Sequence, residues 1–442
     1  MSSVLGVPLP NSWSSAPLKH VTSVLSRGSA PDYVDVGPVR AISQASNQAS
    51  GLDWPRTRFH DFSGNPKSLK GYLRPNDVLI NSTGTGTLGR VGYFTDSPDG
   101  LPCMADSHVT IARAKPDELD ARFSYYWLSS KPFQEYVYAA LVVGATNQIE
   151  LNRDRLGDAP VPLPPLDEQR RIGEFLDAEI ARIDKMCTTV RRLKVVLHER
   201  RDAQRALMLR GADRSGPRMP HPMLGDLPAS WQVIPLKRLV PRIGVGVVVD
   251  PSSYFTEDGV PFLRGSNITE SGIDLAGVRF MSEANSRTLW RSRLNSGDVV
   301  VIRAGYPGRA AVVPDGLDGA NCASLLVIKR GKHLLPKYLE AYFNSPLGTA
   351  YVNSVRYGAA QEQINVSHVV DFMVPAPGLD EQEDIIQGLE ASESPIQALK
   401  EKLSRQEVLL KERRQALITA AVTGQFDVTT ASGRNVTEGV SA

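Results

Sequence analysis

The sequence predicts an α+β fold in which two globular, mixed α/β domains are separated by two long antiparallel coiled-coil helices, as a pseudo-two-fold repeat. The chain repeats itself with a period of about half its 442 residues. Each repeat ends in a long segment with the narrow apolar spacing of a coiled coil. Short apolar stretches divided by Gly, Pro, Asn and Asp fill the rest, which is typical of strands in a mixed domain. Two such long repeats are not a solenoid, because solenoid units are short and need several neighbours to bury a core.

The repeat is clearest in two places. Residues 9–13 read Leu-Pro-Asn-Ser-Trp and residues 227–231 read Leu-Pro-Ala-Ser-Trp, an offset of 218. Residues 166–211 align with 379–424 without a gap, at an offset of 213, and 16 of 46 positions are identical. Both copies of the longer segment begin with Leu-Asp-Glu-Gln and end in Gly.

These matches divide the chain into domains, helices and connecting segments. The predicted domains are 1–166 and 227–379, the predicted helices are 167–210 and 380–424, and a linker at 211–226 and a tail at 425–442 complete the chain. The linker is rich in Gly, Pro and Arg, so we expect it to be flexible. Within the domains we predict strands near 77–81, 90–94, 109–112, 299–303 and 325–328, and helices near 121–140 and 336–344.

The two matched segments predict long helices. In the first, Asp167 is a candidate N-cap and Gly211 a candidate left-handed stop. Residues at alternating spacings of three and four form a coiled-coil seam. The predicted seam is Ile183, Met186, Val190, Leu193 and Leu197 in the first helix and Ile396, Leu399, Leu403, Gln406 and Leu410 in the second. Gln406 interrupts the apolar row, which would fix the register, and we expect Pro395 and Gly388 to kink the second helix or delay its start.

The charges of the helices favour pairing them with each other. Residues 167–210 hold 11 Lys and Arg against 8 Asp and Glu, and residues 380–424 hold 6 against 9, so their net charges are +3 and −3. A chain that leaves the first domain along one helix must return along the other, so an antiparallel pair is the simplest closure. Helices of about 44 residues form rods of roughly 65 Å. The alternative is that each amphipathic helix packs on its own domain.

Composition excludes several classes of protein. The chain has 50 Lys and Arg against 48 Asp and Glu, a net charge of +2, so it is neither an acidic solvating chain nor a histone-like one. Any binding of nucleic acid must come from the placement of charges. Three widely spaced cysteines without a C-x-x-C pair indicate neither a disulfide framework nor a zinc site. No basic leader with an apolar core and no apolar run of membrane-spanning length occurs, so we expect a cytoplasmic protein.

A glycine-rich turn occurs in both domains. Gly84, Gly86 and Gly89 match G-x-G-x-x-G, but a strand is predicted where a dinucleotide site needs a helix, and the second copy keeps only Gly305 and Gly308. A tight hairpin that needs glycine for positive φ fits both copies. The tips also carry side chains that can pair with DNA bases and phosphates, so a structural role and a DNA-binding role both stay open. The candidate DNA-binding residues here are Asn81, Thr83, Thr85, Thr87 and Arg90 in the first domain and Arg303, Tyr306 and Arg309 in the second.

A second shared feature is an amide-bearing loop, in which Asn147 and Gln148 match Gln361 and Gln363. Amide side chains can bond bidentately to adenine in the major groove, although in such loops they also cap the local backbone. The seven histidines show no metal-ligand spacing, so we predict no metal site. The sequence also lacks a G-x-x-x-x-G-K-[ST] phosphate loop, the Asn/Asp-Pro-Pro-aromatic motif of amino-methyltransferases and a nuclease motif. No catalytic residue is predicted.

Taken together, these motifs resemble the specificity (S) subunits of type I restriction-modification systems, the HsdS family. Residues 162–169 read Pro-Leu-Pro-Pro-Leu-Asp-Glu-Gln and residues 375–382 read Pro-Ala-Pro-Gly-Leu-Asp-Glu-Gln. Residues 410–424 are very similar to the end of the distal conserved helix of this family, while the central copy departs more after Arg201. With the Leu-Pro-x-Ser-Trp entries and the Gly-Arg turns, the resemblance covers nearly the whole chain.

The resemblance implies a non-catalytic subunit whose globular halves are target recognition domains, each reading one half of a bipartite, asymmetric DNA sequence. The helices would set the gap between the half-sites and dock methyltransferase subunits, expected to be two, which support endonuclease/translocase subunits. S-adenosylmethionine, ATP and Mg²⁺ would belong to those partners, and none to this chain. One alternative is the reader of a methylation-only complex. Another is a coiled-coil scaffold that binds proteins through Trp13, Trp231 and the aromatic residues Tyr125, Tyr126 and Trp127.

Overall fold

A computed structural model describes residues 3–48, 51–84, 86–143, 149–248, 252–356 and 362–428. The chain divides into two units, of which the first comprises Met1–Val190 and Arg405–Ala442 and the second Arg191–Ser404. Both boundaries fall inside long helices, Leu166–Leu209 and Leu379–Val422. Each unit therefore contains one globular domain, the start of one long helix and the end of the other.

The first unit contains two four-stranded sheets. Its central sheet is antiparallel, with the spatial order Val91–Phe94, Asp77–Asn81, Val109–Ala114, Thr22–Arg27. Its second sheet has the order Cys103–Ala105, Val39–Ile42, Arg58–His60, Tyr33–Val34, and the first pair is parallel. Two-stranded pairs are Ser3–Val4 with Val7–Pro8, Ser14–Pro17 with Pro160–Leu163, Asn47–Gln48 with Gly51–Leu52, and Val142–Val143 with Glu150–Leu151. The shorter helical segments are Leu18–Val21, Trp54–Arg56, Pro66–Ser68, Ala121–Ser129, Lys131–Tyr136, Val137–Leu141 and Arg153–Asp158.

The second unit has the same two kinds of sheet. Its central sheet is antiparallel, with the order Ala310–Val312, Val299–Ile302, Leu325–Ile328, Ile243–Val245. Its second sheet has the order Asn321–Cys322, Val260–Leu263, Arg279–Met281, Phe255–Thr256, and the first pair is again parallel. Two-stranded pairs are Arg218–His221 with Gly225–Pro228, Gln232–Pro235 with Met373–Ala376, and Ile268–Thr269 with Gly272–Ile273. The shorter helical segments are Leu236–Arg238, Ser252–Tyr254, Gly265–Asn267, Glu283–Thr288, Trp290–Ser292, Asp315–Leu317, Pro336–Phe343, Pro346–Val355 and Val366–Val370.

The predicted fold class is confirmed, since both units have the same strand order in both sheets although few residues match between them. The apolar stretches predicted as strands are strands, and the predicted helices near 121–140 and 336–344 are present. Three of the four strands of each central sheet carry buried apolar side chains, among them Ile80 and Ile111 in the first unit and Val301 and Leu326 in the second. The apolar residues of the edge strands Thr22–Arg27 and Ile243–Val245 are half-buried. The two domains therefore share the positions of their buried apolar strand residues and the order of their strands, rather than their detailed sequence.

A buried glutamine fixes the start of each long helix to its domain. Gln169 Oε1 accepts a hydrogen bond from the Asp120 amide at 2.8 Å, and its Nε2 donates to the carbonyls of Pro164 at 2.9 Å and Glu118 at 3.3 Å. Gln382 does the same in the second unit, accepting from the Leu335 amide at 2.8 Å and donating to the carbonyls of Pro377 and His333. Both side chains are almost fully buried, so these bonds satisfy polar groups that water cannot reach. The need for a side chain that both accepts and donates at this buried site explains why the repeated Leu-Asp-Glu-Gln motif ends in glutamine.

A buried tryptophan joins the two long helices within each unit. In the first unit the indole N–H of Trp13 donates to Glu168 Oε1 at 3.2 Å, and in the second Trp231 donates to Glu381 Oε1 at 3.4 Å. The same rings lie against the glycine that ends the other helix: a Cβ added to Gly424 would lie 3.1 Å from Trp13, and one added to Gly211 would lie 2.8 Å from Trp231. The tryptophan of the Leu-Pro-x-Ser-Trp motif therefore contacts the start of one long helix and the end of the other.

The ends of the long helices follow the predicted chemistry with small differences. Gly211 and Gly424 have φ of 59° and 71°, and the residue after each donates to the carbonyl five positions earlier, so both helices end in Schellman motifs. The first helix begins at Leu166, which places Asp167 in its first turn and corrects its assignment as the N-cap. The second helix runs from Leu379 to Val422 through Gly388 and Pro395, so it does not start late. Leu389 and Ile396 are buried on this stretch, and such packing supplies most of the stability of helices in proteins.

The segment predicted as a flexible linker is instead built into the second unit. It contains the hairpin of Arg218–His221 and Gly225–Pro228, and Leu224 lies in the core with Leu209 and Trp231. Arg218 donates to the carbonyls of Gly211 and Asp226. The prediction from composition was wrong because it gave no weight to the apolar residues Met223 and Leu224 within this Gly- and Pro-rich sequence.

The long helices pair in an antiparallel manner inside each unit, as predicted. In the first unit the Phe175 ring lies 5.6 Å from that of Phe426, just beyond the second helix, and Asp184 lies 3.8 Å from Arg414, so the residue number rises on one helix as it falls on the other. In the second unit Arg205 forms two hydrogen bonds with Glu393, at 2.8 and 2.6 Å, and Arg214, just beyond the first helix, lies 3.5 Å from Asp384. The Arg205–Glu393 pair has the signs expected from the net charges of the two helices, whereas the Asp184–Arg414 pair has the reverse.

Every second residue of the predicted seam is buried or half-buried, and the others are exposed. Ile183, Val190, Ile396, Leu403 and Leu410 are buried and Leu197 is half-buried, whereas Met186, Leu193 and Leu399 are 41–46% exposed and Gln406 is exposed. The side chain one position later turns inward instead, as Cys187 does at 6% exposure. The inward-facing row therefore advances by four residues and then by three, as from Ile183 to Cys187 to Val190. A step of four turns the side chain by only about 40° around the helix axis, whereas a step of three turns it by about 60° the other way. Gln406 therefore cannot set the register.

We predict that Gly211→Ala and Gly424→Ala each lower the free energy of unfolding by about 1 kcal/mol or more. Alanine disfavours positive φ, and its methyl group would meet Trp231 at 2.8 Å or Pro10 at 2.4 Å. Urea unfolding of the full chain, followed by tryptophan fluorescence, measures the effect. Gly316→Ala is the control, because its Cβ would meet nothing within 4 Å and its φ is not positive. Unchanged unfolding midpoints in both variants would contradict the proposed joint.

Candidate DNA interface

The predicted hairpin turns are present in both units. In the first unit the turn connects Asp77–Asn81 to Val91–Phe94, and Gly84, Gly86 and Gly89 have φ of 100°, 79° and 77°. A Cβ on Gly89 would lie 2.9 Å from Val137. Because a strand follows the turn, the G-x-G-x-x-G sequence forms a hairpin and no dinucleotide-binding helix. Thr85 lies outside the described residues.

Most polar side chains of the first turn point into the protein. Asn81 is fully buried, accepts from Asn47 Nδ2 at 2.9 Å and donates to the Gln44 carbonyl at 3.2 Å. The side-chain amide of Gln44 in turn accepts from Thr83 at 3.1 Å and Thr87 at 3.5 Å. Asn81 is therefore a core residue, which corrects its assignment as a DNA contact, and Thr83 and Thr87 serve first to hold the turn.

Arg90 closes the first turn. Its guanidinium donates to Gln48 Oε1 at 2.8 Å, to the Asn47 carbonyl at 3.3 Å and to the Gly86 carbonyl at 3.5 Å. It is half-buried and has no carboxylate partner among the described residues. Arg90 thus combines a structural role with an unneutralised positive charge at the turn.

The second turn carries a side chain that is largely exposed to solvent. Gly305 and Gly308 have φ of 90° and 95°, and a Cβ on Gly308 would lie 2.8 Å from Val352. Tyr306, between them, is 73% exposed. The Arg309 guanidinium lies 5.7 Å from the centre of the Tyr306 ring, within the range of a cation–π interaction. The tip therefore presents an exposed tyrosine beside a half-buried arginine.

The structure brings the second turn against Gln363 of the amide-bearing loop and the first turn against Glu150, which follows the corresponding loop. In the second unit Ala304 pairs with Gln363, and the Ile364 amide donates to the Arg303 carbonyl at 2.9 Å. Arg303 Nε also donates to Asn365 Oδ1 at 3.2 Å. In the first unit Thr83 pairs with Glu150, directly after the loop, and the Leu151 amide donates to the Ser82 carbonyl. Asn147, Gln148 and Gln361 lie outside the described residues.

Charged residues surround the second turn in a cleft of about 470 Å³. Glu270 lies 3.2 Å from Arg201 on the first long helix and 3.8 Å from Arg309 at the turn. Burial opposes ionisation of Glu270, but the hydrogen bond and charge of Arg201 outweigh it and lower the pKa of this carboxyl. Arg356, also in the cleft, pairs with Glu362 at 2.5 Å. A carboxylate between guanidiniums occupies the kind of position that a DNA phosphate would take.

Sequence reasoning missed Gln44 and Glu270, which organise the two turns, and His108, whose ring lies 2.8 Å from Thr83 Oγ1. Each is more than 20 residues from the turn it contacts. No local pattern marks such residues, because only the pairing of distant strands brings them to the turn.

Four of the five aromatic residues considered for a protein-binding scaffold are core residues. Trp13, Trp231, Tyr126 and Trp127 are at most 4% exposed, and the half-buried Tyr125 packs edge-on against Tyr126 with ring centres 5.0 Å apart. The four buried side chains are therefore not free to bind another protein.

Two further observations concern the described part of the chain. No group of three or more His, Cys, Asp or Glu side chains is placed there to hold a metal ion. No helix there is both long enough and apolar enough to cross a membrane.

Residues 62–189 match the sequence profile of the type I restriction modification DNA specificity domain. The chain is 21% identical over 417 residues to the Escherichia coli type I restriction enzyme EcoBI specificity subunit, covering 87% of this chain and 85% of that protein. It is 24% identical over 441 residues to the EcoKI specificity subunit of E. coli, covering 95% and 90%. A putative MjaX specificity subunit from Methanocaldococcus jannaschii is 22% identical over 433 residues, covering 96% and 95%.

Solved structures share the fold along the chain. One, from a study of complex assembly and conformational transition of the type I R-M system, has a TM-score of 0.66 and 18% identity, covering 95% of this chain and all of that one. The HsdS subunit from Thermoanaerobacter tengcongensis has a TM-score of 0.50 and 18% identity, covering 95% and 99%. The likeness therefore extends over both units.

We predict that Asn81→Ala destabilises the first unit by about 1–3 kcal/mol, because it leaves the buried Asn47 amide without its nearest acceptor. Hydrogen exchange of the amides in Asp77–Asn81 should accelerate accordingly. Lys67→Ala, at an exposed position, is the matched control and should change exchange little. If Asn81→Ala keeps full protection and instead weakens DNA binding, the original assignment of Asn81 is right.

Proposed function

We propose that this chain, which is similar over most of its length to type I restriction-modification specificity subunits, is itself such a subunit and reads a bipartite, asymmetric DNA target. One domain contacts each half of the target through its glycine turn and the neighbouring amide-bearing loop. The observation that carries the proposal is the convergence of these two motifs in both units, at Ala304 and Gln363 in one and Thr83 and Glu150 in the other. Turn tips and neighbouring loops can present donors and acceptors to base edges.

The two turns differ in what they present, which supports two different half-sites. In the first, Thr83, Thr87 and Arg90 are engaged by neighbouring side chains and backbone. In the second, Tyr306 is exposed, beside the half-buried Arg309. We propose Thr83, Thr85, Thr87, Arg90, Asn147, Gln148, Arg303, Tyr306, Arg309, Gln361 and Gln363 as the contact residues.

The long helices are the proposed dock for methyltransferase subunits, one on each unit. In the second unit Leu193, Val195, Val196 and Leu207 of the first helix are 46–56% exposed, and in the first unit Met186, Val408 and Leu409 are 41–56% exposed. Apolar residues recurring along a helix in water indicate a surface that a partner covers. The partners would supply S-adenosylmethionine, ATP, Mg²⁺ and the catalytic groups, and endonuclease/translocase subunits would join through them.

Charge pairing explains why the proposed reader needs those partners. The net charge is +2, and Arg201, Arg205, Arg309 and Arg356 all face carboxylates. Neutralisation of phosphates supplies much of the affinity of proteins for DNA, and this chain carries almost no excess of positive charge. Alone it should bind DNA weakly and gain affinity when the partners surround the duplex.

We predict that exchanging residues 227–379 for the same region of a specificity subunit with another target changes one half of the recognised motif. The other half and the gap should stay, because the first unit and the helices are untouched. Mapping methylated adenines in cells that express the chain with its methyltransferase subunits measures this. Exchanging 1–165 is the matched control and should change the opposite half. A protein-binding scaffold predicts no sequence motif for either exchange.

We also predict that removing one heptad from each helix, residues 184–190 and 408–414, shortens the gap between the half-motifs. These segments face each other through Asp184 and Arg414, so the pairing that remains is in register. The rod loses about 10 Å, the length of roughly three base pairs. Methylation of the original motif should disappear, and any that remains should fall on a motif with a shorter gap. Deleting 184–190 alone should prevent assembly, and full methylation of the original motif by the double deletion would refute the proposed ruler.

A further inference from the structure

Trp290 in the second unit is a large aromatic side chain that the core does not use. It begins the single turn Trp290–Ser292 and is 58% exposed, whereas Trp13, Trp127 and Trp231 are buried and Trp54 is half-buried. A ring of this size left in water forgoes the stabilisation that burial would give it. Its exposure therefore points to a binding partner.

The turn that carries Trp290 is held rigidly from below. Asn321 Nδ2 donates to Ser292 Oγ at 2.8 Å and to the Leu289 carbonyl at 3.2 Å, and Ser292 Oγ donates to the same carbonyl at 2.9 Å. Asn321 is fully buried and Leu289 packs on the apolar cluster around Phe262. The indole is thus presented on a fixed support, which reduces the entropy lost on binding.

Two arginines flank the exposed ring. The guanidinium carbon of Arg291 lies 5.3 Å from the ring centre, and that of Arg242 lies 6.0 Å away. Both side chains are exposed, and within the described residues neither is placed against a carboxylate. The other arginines discussed around the second turn all have acidic partners or, for Arg303, an amide partner. Uncommitted positive charge is therefore concentrated beside Trp290.

This patch is continuous with the proposed DNA contacts. The edge strand Ile243–Val245 follows Arg242, and Val245 lines one cleft beside Trp290 and another beside Arg303. Val248, 59% exposed, lies in the second cleft. The surface thus runs from Arg291 across the edge strand to Arg303, next to Gln363 and the glycine turn.

We propose that Trp290, Arg242 and Arg291 form a further DNA contact of the second domain, in addition to the turn and the loop. The two guanidiniums bind phosphates of the duplex, and the indole packs on the sugar or base face between them. Aromatic rings flanked by arginines suit this role, because stacking tolerates any base and the cations neutralise the backbone. The corresponding segment of the first unit, residues 61–76, has no tryptophan, so the contact is specific to one half of the target.

The test uses the full chain assembled with its methyltransferase subunits and a duplex carrying the mapped motif; it rests on the proposed function. We expect Trp290→Ala to weaken binding roughly tenfold and Trp290→Phe to retain most of it. Arg242→Gln and Arg291→Gln should each reduce the slope of log affinity against log salt by about 1, whereas Lys332→Gln, an exposed cation beside the anchor of Gln382, should not. DNA should also protect tryptophan fluorescence from acrylamide in the wild type, and less in Trp290→Phe.

The outcomes separate this contact from the proposed function. If wild type binds the motif and the Trp290 and arginine variants match its affinity, salt slope and quenching, the contact is refuted and the reader stands. If the assembled wild type shows no preference for any motif, the proposed function itself fails. If Trp290→Ala loses its methyltransferase subunits, and binds DNA like the wild type when an excess of those subunits restores the complex, the patch is a protein interface and the DNA assignment is wrong. Unchanged melting temperatures of the variants show that exposed residues were altered without unfolding.

Discussion

The fold depends on one buried amide in each unit, the glutamine that ends the repeated Leu-Asp-Glu-Gln motif. Gln169 and Gln382 each make three hydrogen bonds to main-chain groups, two of them in the segment just before a domain helix. Main-chain groups are the same whatever side chains surround them. The joint between a long helix and its domain can therefore persist while the rest of the domain sequence diverges, and so the anchor recurs although few other domain residues do.

The second constraint is the tryptophan that meets both long helices in each unit. Trp13 is bonded to the start of one helix through Glu168 and lies against the end of the other at Gly424, and Trp231 is placed in the same way between Glu381 and Gly211. Glycine is needed there twice over, for positive φ and for the space that the ring occupies. Since the start of one helix and the end of the other meet at one residue, the antiparallel pairing is fixed within each unit by the domain as well as by contacts between the helices.

The architecture could be predicted from the sequence, whereas most contacts of the candidate site could not. The repeat, the long helices and the turns were predicted because each leaves a local signal: identity at a fixed offset, apolar spacing, or glycines between strands. The phase of the seam was wrong at Met186 and Leu399 because spacings of three and four are both compatible with a leucine-rich row. The inward orientation of Asn81 and the partners Gln44 and Glu270 could not be predicted, because they depend on contacts across tens of residues that only the folded sheets create.

Neutral charge and paired arginines also bear on how such a reader would select its sequence. Where Glu270 lies near both Arg201 and Arg309, a DNA phosphate must replace a carboxylate, so only the difference between two ion pairs is gained. Such sites add little non-specific affinity. In the proposed reader, discrimination would then fall to groups that gain a full contact only on the right sequence, such as Tyr306 at the tip. Glycines with positive φ hold the turn backbone in place whichever side chains it carries. Specificity can thus change at the tips without altering the anchors on which the fold depends.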